Sequence, residues 1–152
     1  MALPSLPPAP GLPPARAAEI RRIVGRVARW AAARTDVAGL LLVGSCARGT
    51  ARADSDIDLV LLTEDGSRYD GDDWARDLGL RMSVRTRSWG AVLERRFAAP
   101  SGLEVEFGIA APSWAADDPV DPGTRRVVTD GALVLHDPTG RLATLTAACR
   151  EG

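Results

Sequence analysis

The chain has 152 residues, 45% of them apolar, which is the size of one domain with a single core and directs the search to one site. Its net charge is -1 and its 19 basic residues are all arginine, so it lacks the overall cationic field that drives non-specific binding to a long nucleic acid. Cys46 and Cys149 lie far apart and resemble neither a disulfide framework nor a metal knuckle, and the N-terminus holds no apolar run of signal-peptide or membrane-span length, so a cytoplasmic location and no membrane partner are expected.

Residues 1–14 are rich in proline and read as a flexible tail ahead of one domain at 15–152. Ile20, Ile23, Val24, Val27, Trp30 and Ala31 then recur at three- and four-residue steps with arginines between them, which predicts an amphipathic helix ending before Asp36. Residues 37–43 form a continuous apolar run, too short for a helix and closed by Gly44, and read as a buried strand. After the polar segment 44–55 a second run, 57–62, is apolar on both faces, as a central strand should be. Residues 64–73 are an acidic loop, with a short helix expected around 74–78.

Strand-like composition returns at 82–88 and 92–97, and Pro100-Ser101-Gly102 supplies a turn before 103–110, so the last two strands are expected to form a hairpin. In 103–110, Leu103, Val105, Phe107 and Ile109 face one way and Glu104, Glu106, Gly108 and Ala110 the other. A loop at 112–122, a helix near 124–129, a strand at 133–136 and a short C-terminal helix complete the chain. The expected class is α/β (α+β): a mixed, mainly antiparallel sheet flanked by helices.

The chemistry gathers in two adjoining segments. Gly44-Ser45-Cys46-Ala47-Arg48-Gly49-Thr50 follows a buried strand, and a glycine there lets backbone N–H groups come close to a phosphate while Ser45 adds a hydroxyl. Then comes Asp54-Ser55-Asp56-Ile57-Asp58, directly before Leu59. On an extended chain Asp56 and Asp58 point to the same face about 6.6 Å apart, near enough to bind one cation or two adjacent ones. Two negative charges at the edge of a buried strand are costly without such a cation. An EF-hand starting at Asp54 fails, because Leu59 and Asp65 stand where glycine and glutamate are needed.

Gly44-Ser45-x-x-Arg48-Gly49 followed by Ser55-Asp56-Ile57-Asp58-Leu59 resembles the signature of the DNA polymerase beta-like nucleotidyltransferase superfamily, in particular its minimal bacterial members. The resemblance covers residues 44–59. It implies that Gly44 and Ser45 bind the β- and γ-phosphates of a nucleoside triphosphate, ATP being the expected one. It further implies that Asp56 and Asp58 bind Mg²⁺, with two ions expected, and that a third carboxylate stands on a neighbouring strand. Glu104 and Glu106 share the face that can supply it. Glu106 is preferred, being followed by Phe107 and Gly108 as in the family's acid-then-apolar pattern, although aspartate is commoner there.

The reaction so implied is transfer of a nucleoside monophosphate to an acceptor hydroxyl with release of pyrophosphate, with Glu106 the candidate base. The acceptor would be a small molecule or a protein. Arg48 lies inside the motif and is a candidate phosphate contact. Arg85 and Arg87 could present a cationic face to the triphosphate but read first as a solvated face, His136 as structural, Trp114 as an anchor that could also stack on a base or acceptor, and Cys46 as either a small filler or a reactive thiol. The alternatives are a catalytically inactive nucleotide-binding or protein-interaction module on the same fold, or one half of a two-protein system completed by a separate helical partner.

Overall fold

Helix α1 (Pro14–Ala32) opens on a proline, whose fixed φ suits the first helical turn and whose missing N–H would have no partner there. In the computed structural model, which describes residues 4–151, α1 buries Ile20, Ile23, Val24, Val27, Ala28 and Ala31 along one stripe. Of the expected tail, residues 1–3 lie outside the described residues. The remainder departs from a free tail: Leu6, Ala9 and Leu12 pack against the core, and the prolines between them are the exposed or half-exposed positions.

Six strands follow: β1 (Val37–Val43), β2 (Ile57–Thr63), β3 (Met82–Trp89), β4 (Val92–Ala98), β5 (Glu104–Ala110) and β6 (Ala132–His136). They form one sheet in the order β3-β4-β5-β2-β1-β6, in which only β2 and β5 run parallel. The mixed, mainly antiparallel sheet and the β4–β5 hairpin are therefore as the sequence predicts. Between the strands lie α2 (Ser45–Arg48), α3 (Asp73–Asp77), α4 (Pro122–Thr129) and, last, α5 (Arg141–Glu151). Asp121 caps α4 by accepting from the N–H groups of Gly123 and Thr124, and Asp137 does the same for the first turn of α5 through Leu142 and Ala143.

The sheet has two unlike faces. On one, Leu40, Leu42, Ile57, Leu59, Leu61, Val105, Phe107 and Ile109 pack under α1 and α3, joined by Trp30, Tyr69, Trp74 and Phe97 in an edge-on aromatic cluster. On the other, α4 and α5 cover Leu41, Leu62 and Ala110 but stop short of Asp58 and Glu106. The period-two alternation of β2 and β5 thus puts apolar side chains into the sealed face and the carboxylates onto the half-covered one.

The acidic loop is more than solvated surface. Arg95, 3% exposed, reaches from β4 across the sealed face and donates to the carbonyls of Tyr69, Asp70 (3.1 Å) and Gly71 (2.9 Å) and to the Asp72 carboxylate. Asp36, 7% exposed, accepts from the Tyr69 hydroxyl, Thr63 Oγ1 (2.8 Å) and Arg34 Nε (3.2 Å), tying the same loop to the end of α1. Strand β3 forms although every one of its residues is exposed, Met82, Val84 and Trp89 included. Its ladder with β4 holds it, not burial.

Candidate active site

Gly44 ends β1 with φ 74° and ψ -156°, a backbone region open essentially only to glycine. A second constraint acts on the same atom. A Cβ at Gly44 would stand 2.6 Å from Asp58 Oδ2, so the bare backbone lets the Asp58 carboxylate lie against the turn. Val43 and Asp58 are register partners across β1 and β2, which fixes that approach. The chain then folds into the single turn of α2, whose first N–H groups have no intrahelical partners.

Parallel pairing of β2 with β5 sets Asp58 directly opposite Glu106, and Asp56 precedes β2 by one residue. Gly44, Arg48, Asp56, Asp58 and Glu106 all line one cleft of about 870 Å³. Its outer walls bring Trp114, together with Trp89 and Arg126, which the sequence pattern did not place there. Glu104 shares the strand face but lines a separate cleft of about 410 Å³ with Asp54, Ser55 and Asp56. Of the two candidate carboxylates, Glu106 is thus the one held beside Asp58.

Burial, then the Glu106 carboxylate, then that of Asp56, push Asp58 up to about 6. No hydrogen bond is among the causes of that shift, and no donor of the described residues reaches its oxygens. Asp56, Glu104 and Glu106, by contrast, are bound by one arginine that the sequence reading passed over. Arg96, on β4 opposite Glu106, donates through one terminal nitrogen to Asp56 and to Glu104 Oε1 (3.0 Å), and through the other to Glu106 Oε1 (3.0 Å). These carboxylates hold its own ionisation upward against the opposing effect of burial. Arg85, exposed as expected for that face, adds a second guanidinium at 3.2 Å from Glu106. Among the described residues no three ligand side chains are drawn together as a finished metal cage, and Arg96 stands between those that would form one.

The donor set still suits a hard divalent cation: every group is a carboxylate oxygen, and Asp58 is crowded by negative charge with no hydrogen bond to relieve it. The cross-strand complement of Arg96 to Glu106 was the available signal, since 92–97 and 103–110 read as a hairpin and opposite charges favour each other across such a pair.

Other candidates fall into place. Arg48 Nη1 approaches the Asp130 carbonyl at 3.5 Å, and its stem runs over Gly131, where a Cβ would meet its Cγ at 2.6 Å. Cys46 is 5% exposed, its Sγ contacts the Asp56 carbonyl at 3.5 Å, and burial followed by the charge of Asp58 pushes its thiol up to about 11, so it is a packed filler that steadies the Asp56 turn. Trp114 both packs against the second core cluster and lines the cleft. His136, on β6, pairs with Leu40 of β1 and does not line the cleft. The acids of the 64–73 loop do not line it either.

A family model described as a nucleotidyltransferase domain matches residues 20–99, more than half of the chain. The chain belongs to the nucleotidyltransferase domain family. The match includes Gly44, Ser45, Asp56, Asp58 and Arg96, whereas Glu104 and Glu106 lie beyond it. No curated protein matches by sequence. Among solved structures the nucleotidyltransferase domain is similar to a cytoplasmic RNA terminal U-transferase, with 16% identity and TM-score 0.51 over 65% of this chain and 30% of that one, a likeness of fold. An aminoglycoside 6-adenyltransferase from Bacillus subtilis (14% identity, TM-score 0.46, 66% and 36% of the two chains) and a CCA-adding enzyme (13%, 0.46, 86% and 32%) also align. The chain spans about a third of the length of these structures. Among the described residues no helix is long and apolar enough to cross a membrane.

Proposed function

We propose that this domain transfers a nucleoside monophosphate from a nucleoside triphosphate, ATP in the first instance, to an acceptor hydroxyl in the cytoplasm. The observation that carries the reading is the convergence of Asp56, Asp58 and Glu106 with Gly44 in one cleft, Asp58 and Glu106 being register partners. Asp56, Asp58 and Glu106 would hold Mg²⁺, two ions in the full site, which supply charge stabilisation at the transferring phosphoryl group. Gly44 and Ser45 at the start of α2, with Arg48 beside them, hold the triphosphate by N–H, hydroxyl and guanidinium donors.

The acceptor oxygen attacks the α-phosphorus in line, the bond from that phosphorus to the bridging oxygen breaks, and pyrophosphate leaves. Glu106 takes the hydroxyl proton. The cleft is open to solvent, with Trp89, Trp114 and Arg126 on its outer walls, and admits a small-molecule or protein hydroxyl. A separate helical protein that shapes the acceptor side is compatible with this geometry. Calorimetric titration of each nucleoside triphosphate with Mg²⁺ into the protein and into the Asp56→Asn, Asp58→Asn double variant tests the proposal. Metal-dependent binding that disappears in the variant supports it; no binding to any triphosphate, or equal binding in both proteins, refutes it.

A further inference from the structure

Arg96 is placed where a bound cation would do its work. One guanidinium contacts Asp56, Glu104 and Glu106 at once, and its side chain is only 13% exposed. A guanidinium so surrounded neutralises much of the cluster's charge, and its volume keeps the carboxylates from closing on a smaller ion. Four carboxylates, counting Asp58, meet two guanidiniums, Arg96 and Arg85, and the one without a hydrogen-bond donor is Asp58.

The surroundings also give Arg96 somewhere to go. With Asp56 it forms the partition between the 870 Å³ cleft and the 410 Å³ cleft on the Glu104 side. The smaller cleft, lined by Asp54, Ser55 and Glu104 as well as Arg96, is space into which the flexible stem can swing away from Glu106 while Glu104, already a partner, stays beside it. The side chains of Asp56 and Glu104, at 35% and 37% exposed, open that side of the cluster to solvent.

Resting on the metal-site reading above, we infer that Arg96 is a resident counter-cation of the carboxylate cluster, which a divalent ion must displace towards Glu104 in order to bind. The contact is autoinhibitory towards free metal: it holds the carboxylates in a stable, charge-compensated state until something stronger competes for them.

The test reads metal binding with no nucleotide and no turnover. Mn²⁺ is titrated into wild-type protein, Arg96→Gln, and Arg96→Gln combined with Asp56→Asn and Asp58→Asn, with free Mn²⁺ followed by electron paramagnetic resonance. Removing a neighbouring positive charge from a half-buried site should tighten Mn²⁺ binding by about tenfold or more. That gain should vanish in the combined variant. Binding in Arg96→Gln that equals or falls below wild type, yet still depends on Asp56 and Asp58, overturns the inference and leaves the metal-site reading standing. Binding that ignores Asp56 and Asp58 overturns both. Should Arg96→Gln fail to fold, Arg96→Lys decides: a single ammonium cannot span three carboxylates, so Mn²⁺ should bind several-fold tighter than to wild type, and unchanged affinity refutes the competition.

Discussion

Replacing Gly44 by alanine separates the backbone demand of the turn from its demand for space beside Asp58. At φ 74° and ψ -156° a non-glycine residue costs about 1–3 kcal/mol. The added Cβ would stand 2.6 Å from Asp58 Oδ2, but that oxygen is the far end of a short side chain and can rotate away. The stability loss should therefore stay near the backbone cost, roughly 2 kcal/mol, or about 4–8 °C in Tm for a domain of this size. The carboxylate, displaced from the face it shares with Glu106, should bind metal and nucleotide at least about tenfold more weakly, a loss of roughly 1.4 kcal/mol or more. Gly140→Ala is the control: its φ is 77° with nothing within 4 Å of the new Cβ, so it carries a left-handed penalty of about 1–2 kcal/mol and no effect on the site. Thermal melts and calorimetric binding of ATP with Mg²⁺ measure both quantities. Nucleotide affinity in Gly44→Ala within about twofold of wild type would refute the assignment of the turn to the site.

Asp58→Asn should stabilise the metal-free protein at high pH. With its folded pKa raised to about 6, the native carboxyl favours folding below its ordinary value of 3.8 and loses that contribution as pH rises through about 6. The uncharged variant escapes the loss, so in EDTA at pH 8 it should melt higher, by at most about 3 kcal/mol, with the difference gone at pH 4; a less stable variant at pH 8 contradicts the electrostatic account. Asp36 has the opposite sign. Burial raises it, but the Tyr69 and Thr63 hydrogen bonds and the charges of Arg34 and Arg68 outweigh burial and hold it below 3.8. Asp36→Asn should cost about 2–4 kcal/mol at pH 7, and the gap should close as pH falls below about 4 and the wild-type carboxylate takes up its proton; a pH-independent gap rules this out. Arg95→Ala strips donors from the carbonyls of Tyr69, Asp70 and Gly71 and should cost about 3 kcal/mol, with faster amide exchange in the 66–73 segment; unchanged exchange there would show the arginine does not hold the loop.

The strongest patterns in the sequence are those whose residues act through period and spacing. Strand β1 and the 59–62 part of β2 are continuous apolar runs, and the alternation of 103–110 sorts Phe107 from Glu106 before any neighbour is known. What stayed hidden depends on three-dimensional pairing. Arg95 and Arg96 are adjacent and chemically alike, yet one is buried under an acidic loop and the other sits among carboxylates, a difference created only by the side of β4 each occupies. Strand β3 is legible from composition at 82–88, but its place at the uncovered edge of the sheet is not. Leu6, Ala9 and Leu12 lie between prolines, where helical or strand periodicity has no meaning, so their packing could not be read as such.

Exposed edge strands invite pairing with other chains, and charged side chains along the edge are a common safeguard. On β3 the residues placed to give that protection are Arg85 and Arg87, which also reach across to Glu106 and Glu94. Colloidal behaviour and site electrostatics are therefore written into the same two side chains. A substitution chosen to keep the protein dispersed at high concentration will retune the carboxylates, and one chosen to probe the carboxylates will alter how readily the molecules adhere to one another.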